Sequence, residues 1–294
     1  MTYIDGHVDG ENGLENIFGY ISVAVSPDNA HVYVSASSDR SITVFERNED
    51  GTITPIGAVV TSTSGVPAMN AIWDIAVSPD GKFVLVASSG SNALGVFARD
   101  ADTGLLTYQG IYRDGVDGFD GLSKAFTVST SPDGDYVYVG GDGSELAVIA
   151  LDDEGVGTFV QSLTDGVDGV SGLNRVYQIT FSPDGLFAYT SASAGNAVGV
   201  FSRDPDTGML TFVETSTVSA CRGNVLSPDT RHLYAVGRSP SLLVGFDIDG
   251  ESGGNTGTLS AFQSLTSENF IVGIEGALQF ALSPDGRNLY VADE

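Results

Sequence analysis

Arg175 and Arg222 interrupt an otherwise regular sequence, and in a chain with 12 basic residues against 38 acidic ones they are the first candidates for chemistry. A guanidinium can hold the oxyanion that develops when water attacks an ester-like carbonyl, while a carboxylate takes the proton from that water. Carboxylates are plentiful. Asp114, Asp117, Asp120, Asp165, Asp168, Glu268 and Glu275 lie, with Lys124, in segments that separate the regular stretches. Arg175, Arg222, Asp117 and Asp168 are the catalytic candidates from this set. Two of those segments read DGVDGFDGL (114–122) and DGVDGVSGL (165–173), so Asp114, Asp117, Asp165 and Asp168 could offer carboxylate and backbone oxygens to a hard cation such as calcium. Aspartate before glycine serves an Asx-turn equally well with no ion present, and the full twelve-residue calcium loop is missing. His31 and His232 each stand five residues after a recurring serine, where other copies carry Phe83, Tyr136, Phe187 and Asn288; their slot reads as structural. His7 is the histidine that could reach the channel mouth, although a solvated place in a terminal strand or loop suits it better. No GxSxG elbow, HExxH motif or phosphate loop is present, and the single cysteine, Cys221, excludes an internal disulfide.

What must position these residues is a repeat. The triplet Ser-Pro-Asp recurs at Ser26, Ser78, Ser131, Ser182, Ser227 and Ser283, at spacings of 52, 53, 51, 45 and 56 residues by subtraction. The best copy, Gln178 to Val213, holds four short apolar runs broken by the turns Ser182–Gly185 and Asp204–Gly208 and by the small-residue loop Ala192–Asn196. Proline presets the first turn position and glycine accepts positive φ, so these breaks are hairpin turns. Four strands per repeat at a period near fifty predict an all-β propeller, one blade per repeat, within a single domain over residues 1–294. Six blades fit best. Met1–Gly6 matches a fourth strand and the chain stops after a second strand at Asn288–Ala292, so both termini are expected to share an incomplete closing blade. The segments holding the charged candidates join each outermost strand to the next innermost one and should converge at a channel mouth. Asp114, Asp120, Lys124, Asp165, Trp73 and Glu268 form the expected ligand-binding face. Trp73, with Phe119, Tyr177 and Phe270, could offer it an aromatic surface for sugar or peptide, although Trp73 abuts an innermost strand and could instead be buried between blades.

The segments SPDGKFVLVASSGSNALGVFARDADTGLLTY (78–108) and SPDGLFAYTSASAGNAVGVFSRDPDTGMLTF (182–212) closely resemble the repeats of the lactonase-type, or YVTN-type, β-propeller family. The resemblance covers essentially the whole chain. It implies a ring, usually of seven blades, and for the enzymatic members an activity that opens or forms lactones such as those of sugar acids, with polar and charged residues at the channel mouth. It also implies that many regular relatives are secreted or surface binding modules.

The formal charge of −26 is spread along the chain, which argues against nucleic acid and anionic membranes as partners. No apolar run is long enough to span a membrane and no leader peptide is visible. Repeat regularity, histidines on the wrong face and uniform acidity together lead to an expectation: a non-catalytic, lactonase-like binding or scaffold module at the cell surface or outside the cell, with a protein or carbohydrate ligand and self-assembly through the incomplete blade. The rival expectation is a lactone hydrolase using the arginines and carboxylates of the mouth, and a cluster joining Arg175, Arg222 and acidic residues would favour it.

Overall fold

The computed structural model describes residues 7–10, 15–63, 65–238, 241–249, 256–266, 279–283 and 285–292. Every regular element among them is a β-strand. The first sheet comprises β1 (Tyr20–Val25), β2 (His31–Ala36), β3 (Ser41–Arg47) and β4 (Ile53–Val60); the second β5 (Ile72–Val77), β6 (Phe83–Ser88), β7 (Ala93–Arg99) and β8 (Leu106–Arg113). The third holds β9 (Ala125–Thr130), β10 (Tyr136–Gly141), β11 (Glu145–Leu151) and β12 (Gly157–Thr164), and the fourth β13 (Val176–Phe181), β14 (Phe187–Ala192), β15 (Ala197–Arg203) and β16 (Leu210–Thr217). The fifth consists of β17 (Cys221–Leu226), β18 (His232–Arg238), β19 (Ser241–Ile248) and β20 (Leu259–Thr266), and a two-stranded sheet follows, β21 (Gln279–Leu282) with β22 (Leu289–Ala292). In each sheet the strands lie in chain order. The N-terminal strand expected beside β22, Met1 to Asp5, lies outside the described residues. Two compact units make up the chain, residues 1–139 with 149–159 and residues 140–148 with 160–294.

Continuous apolar runs are found where a strand is covered on both faces. β6 and β14 are buried at every position, whereas the outermost strand β16 is exposed at every second residue. Between the first and second sheets Tyr33, Ile42, Val44, Ile72, Ile75, Val84 and Phe97 form one apolar cluster. Tyr189, Val198, Val200, Cys221, Leu233 and Phe246 form its counterpart between the fourth and fifth.

The Ser-Pro-Asp turns owe their recurrence to a closed set of hydrogen bonds. Ser78 Oγ donates to Asp80 at 2.6 Å and accepts the Phe83 amide at 2.9 Å, while the Gly81 amide reaches the Ser78 carbonyl at 2.8 Å. Ser182, Asp184, Gly185 and Phe187 repeat it at 2.6, 2.9 and 2.8 Å. On the same face, the turns that join β7 to β8 and β19 to β20 dock on the preceding blade. Tyr33 donates to the Gly104 carbonyl at 2.9 Å and Tyr189 to that of Gly257 at 3.3 Å. Gly104 (φ +70) packs so closely on the His31 ring that a Cβ would have no room, and Gly257 (φ +66) stands likewise against Phe187. Arg99 and Arg203, each at the end of a third strand beside an acidic turn, are buried, at 8% and 4% exposure. Arg99 donates to Tyr33 Oη (2.8 Å), the Gly81 carbonyl (3.1 Å) and Asp28 (2.6 Å), and Arg203 to the Gly185 carbonyl (3.1 Å).

Candidate functional site

Two positions per blade project side chains where a connection enters its innermost strand. The residue just before that strand is left-handed in every complete sheet: Gly19 (φ 71), Ala71 (51), Lys124 (48), Arg175 (60) and Ala220 (47). This twist turns the carbonyl back to accept an amide at or just beyond the end of the second strand: Ser37 on Gly19 (2.8 Å), Ser89 on Ala71 (3.0 Å), Ser193 on Arg175 (2.9 Å) and Arg238 on Ala220 (3.2 Å). Two residues later in the chain the ladder slips, between Ile72 and Asp74, Val176 and Gln178, and Cys221 and Gly223. A bulged residue is unpaired and its side chain is re-aimed. Trp73, Tyr177 and Arg222 occupy these bulges.

In the second unit these positions bring together the two arginines singled out by the sequence. Arg175 Nε donates to Asp142 Oδ1 at 2.5 Å, in the loop between β10 and β11. The Asp142 side chain is 18% exposed and that of Arg175 44%. This hydrogen bond, with the charge of Asp142, raises the Arg175 pKa. The backbone fixes the arm: the carbonyl of Asn174 accepts the amides of Ala194 (3.2 Å) and Gly195 (3.1 Å), and its side chain accepts Ser144 Oγ at 3.3 Å. Arg222 lies with its guanidinium carbon 3.9 Å from the centroid of the Tyr177 ring. Its Nε is buried without a hydrogen-bond partner among the described residues. Asp142, Arg175, Tyr177 and Arg222 thus form one cluster of a carboxylate, a phenol and two permanent cations. Asp142 escaped the sequence reading because GGDGS looks like turn composition alone. No spacing in the sequence marks it, since it meets Arg175 across 33 residues.

The first unit presents a different surface. Trp73 stacks on Phe126, ring centroids 4.6 Å apart, and both rings are half-buried. Trp73 is therefore neither wholly buried between blades nor outside the strand, but its second residue. Beside it Asp74 accepts Ser22 Oγ (2.7 Å), Thr127 Oγ1 (3.0 Å) and the Val128 amide (3.0 Å), tying three innermost strands together. Burial raises its pKa against the pull of these donors. A carboxylate inside the apolar run IWDIAV was the overlooked sequence signal.

The remaining candidates are scattered. Asp114 Oδ1 accepts the Leu122 amide at 3.0 Å, and Asp165 Oδ1 the Leu173 amide at 2.9 Å, so each caps its own loop. Asp9 does the same for Ile17 at 3.1 Å. Asp117 and Asp168 are left-handed tip residues (φ 52 and 50), exposed like Asp120. Lys124 is exposed and its amide is held by Asn92 Oδ1 at 2.9 Å. Among the described residues no three His, Cys, Asp or Glu side chains come together to hold a metal ion, and these aspartates serve as turn formers. Phe119 is packed on Tyr112, with centroids 4.7 Å apart. Glu268, Glu275 and Phe270 lie outside the described residues. His7, which could have reached the channel mouth, sits on Phe45 with Nε2 2.9 Å from the Ile53 carbonyl, at the opposite, turn end of the first blade.

The family described as lactonase, 7-bladed beta-propeller, matches residues 22–157 and 128–265. A relative from Pectobacterium atrosepticum named 6-phosphogluconolactonase is 24% identical over 277 residues, 92% of this chain and 78% of the relative. Among solved structures, one from Bacteroides uniformis, described as a candidate 6-phosphogluconolactonase, superposes with a TM-score of 0.75 at 22% identity, covering 92% of this chain and 77% of that one. A periplasmic gluconolactonase from Pseudomonas aeruginosa does so with a TM-score of 0.52 at 18% identity, covering 84% and 85%. The all-β propeller expected from the repeats stands. The expectation of a non-catalytic binding or scaffold module does not: relatives named for lactone hydrolysis along nearly the whole chain overturn it, and repeat regularity, on which it rested, is a property of the turn face and not of the site.

Proposed function

This chain belongs to the lactonase family of seven-bladed β-propellers, and we propose that it is a lactone hydrolase acting on a sugar-acid lactone at the cluster of Asp142, Arg175, Tyr177 and Arg222. The observation that carries this reading is the family match from residue 22 to residue 265. The relative named 6-phosphogluconolactonase supplies the substrate class. The geometry supports it, because Arg175 pairs with the Asp142 carboxylate and Arg222 lies on the Tyr177 ring, a carboxylate and two cations being the groups that hydrolysis of an ester-like carbonyl needs.

In this reading water adds to the lactone carbonyl carbon while the Asp142 carboxylate takes one of its protons. The carbonyl oxygen becomes an oxyanion facing the Arg175 guanidinium, which is charged at every working pH and fixed by its backbone. Collapse of this intermediate breaks the bond from the carbonyl carbon to the ring oxygen. The proton passes from Asp142 to that oxygen, and the product is an open hydroxy acid. Tyr177 and Arg222 hold the rest of the ring.

The test is proton release at constant pH from glucono-δ-lactone and its 6-phosphate, above the buffer rate. Asp142→Asn is expected to lower kcat by about 10²-fold or more while the melting temperature stays near that of the parent. No acceleration with either lactone would overturn the proposal.

A further inference from the structure

The second position of the innermost strand carries an aromatic side chain in three successive sheets, Trp73, Phe126 and Tyr177, and a cation in the next, Arg222. The substitution leaves an imbalance. Other well-placed cations of the chain have carboxylates: Arg99 has Asp28, Arg175 has Asp142, and Lys82 has Asp80 and Asp153. Arg222 has none among the described residues, and its buried Nε donates to none of them. A half-buried guanidinium without a counter-charge is unfavourable in the empty protein, because its lost hydration is not replaced.

The stacking explains how the group is held and what it leaves open. Tyr177 covers one flat face of the guanidinium at 3.9 Å, an arrangement that fixes the plane and desolvates it. The N–H donors lie in that plane, at the edge, where a stacked ring cannot reach them. A planar fork with free edge donors matches an oxyanion two bonds at a time.

We infer that Arg222 is the specificity-determining residue of the site, reading an oxyanion borne by the sugar part of the substrate, a phosphate or a carboxylate, and that Tyr177 is the positioning residue that holds its plane. The inference rests on the hydrolase reading for the identity of the substrate, but not for the binding itself. It makes the reaction selective for anionic over neutral lactones.

The probes are sugars with no lactone to hydrolyse: glucose 6-phosphate, glucuronate and glucose, titrated by calorimetry into the full chain. At least one of the two anionic sugars is expected to bind about tenfold or more tightly than glucose, a difference of about 1.4 kcal/mol. Which of the two does so identifies the oxyanion. Arg222→Gln should erase the preference, Arg222→Lys should keep part of it because the charge remains without the fork, and Tyr177→Leu should reduce it. Melting curves show whether each variant is folded, and the lysine variant covers the case in which glutamine is not tolerated. Equal binding of all three sugars, binding of none, or a preference that survives in Arg222→Gln overturns the inference. A chain inert toward lactones that still shows Arg222-dependent binding removes the hydrolase reading alone. Hydrolysis of charged and neutral lactones with equal kcat/KM, unchanged in Arg222→Gln, removes this inference alone.

Discussion

The two ends of each blade are built on opposite principles. At the turn end the residues themselves recur: serine accepts and donates, aspartate caps, tyrosine and arginine reach into the neighbouring turn, and glycine lets that turn approach. At the connection end only the backbone recurs. A left-handed residue followed by a bulge appears in sheet after sheet, yet glycine, alanine, lysine and arginine all fill the first place and tryptophan, tyrosine and arginine the second. Because side chains at the turn end hold the sheets to one another, side chains at the connection end are released from that duty. This is where a scaffold of near-identical units can carry one asymmetric cluster.

The sharpest way to break this contrast is to disturb a turn-end residue by one carbon. Gly104→Ala places a Cβ in the His31 ring and keeps an L-residue at φ +70. Left-handed backbone costs such a residue about 1–2 kcal/mol and the overpacking about 1–3 more, so a loss of about 3 kcal/mol in denaturant unfolding is expected. A variant within about 1 kcal/mol of the parent would show that the docked turn yields easily. The turn end would then not be the rigid half of the comparison.

Acid should loosen the same end in two steps. His31 is kept neutral by burial and by the charge of Arg99, its pKa lowered, and its Nδ1 lies 2.9 Å from an Arg99 nitrogen that can only donate. A depressed histidine makes the unfolded chain bind the extra proton first, so stability is full above the unfolded value of about 6.5 and declines as pH falls below it. Asp28 follows: its carboxyl is held well below the ordinary range by Ser26, with Ala30 and Arg99 adding to the effect. That contribution is present above about pH 4 and is lost as pH falls further. Melting temperature against pH is the measurement. His31→Phe, the residue found at this slot in two other copies, should remove the decline between pH 7 and 5 and leave the one below pH 4. Parallel curves for parent and variant between pH 7 and 5 would rule out His31 as the first step.

The turn end was legible in the sequence for the reason that makes it rigid. Its hydrogen bonds close between residues two to five apart, so Ser78, Asp80, Gly81 and Phe83 announce themselves in order, and the sheets follow from their period. The latch across blades was less visible. Tyr33 meets Gly104 over 71 residues, and nothing local in the sequence shows that Arg99 is buried. At the connection end the sequence marked Arg175 and Arg222 as departures from the repeat, which was sound. It could not pair them, since Asp142 reaches Arg175 across 33 residues and Tyr177 meets Arg222 in another sheet. The DGxDG aspartates stood out for a local reason, loop capping eight residues ahead, and local reasons are what a motif reports most faithfully.

The smallest effect expected is the converse of the first. Ala71 precedes β5 with φ 51, and the visible use of this position is its carbonyl, which accepts the Ser89 amide at 3.0 Å. Ala71→Gly removes a left-handed penalty of about 1–2 kcal/mol and adds about 0.5–1 kcal/mol of backbone entropy to the unfolded chain. The variant should therefore be as stable as the parent or more stable by about 0.5 kcal/mol, where the opposite exchange at Gly104 loses several times that. Denaturant midpoints for the two variants, measured side by side, give the comparison directly. If Ala71→Gly instead lost more than about 1 kcal/mol, the methyl group would be packing and the connection end would be specified by side chains after all. Arg175, in the equivalent place, would then owe part of its identity to the fold and not to the site.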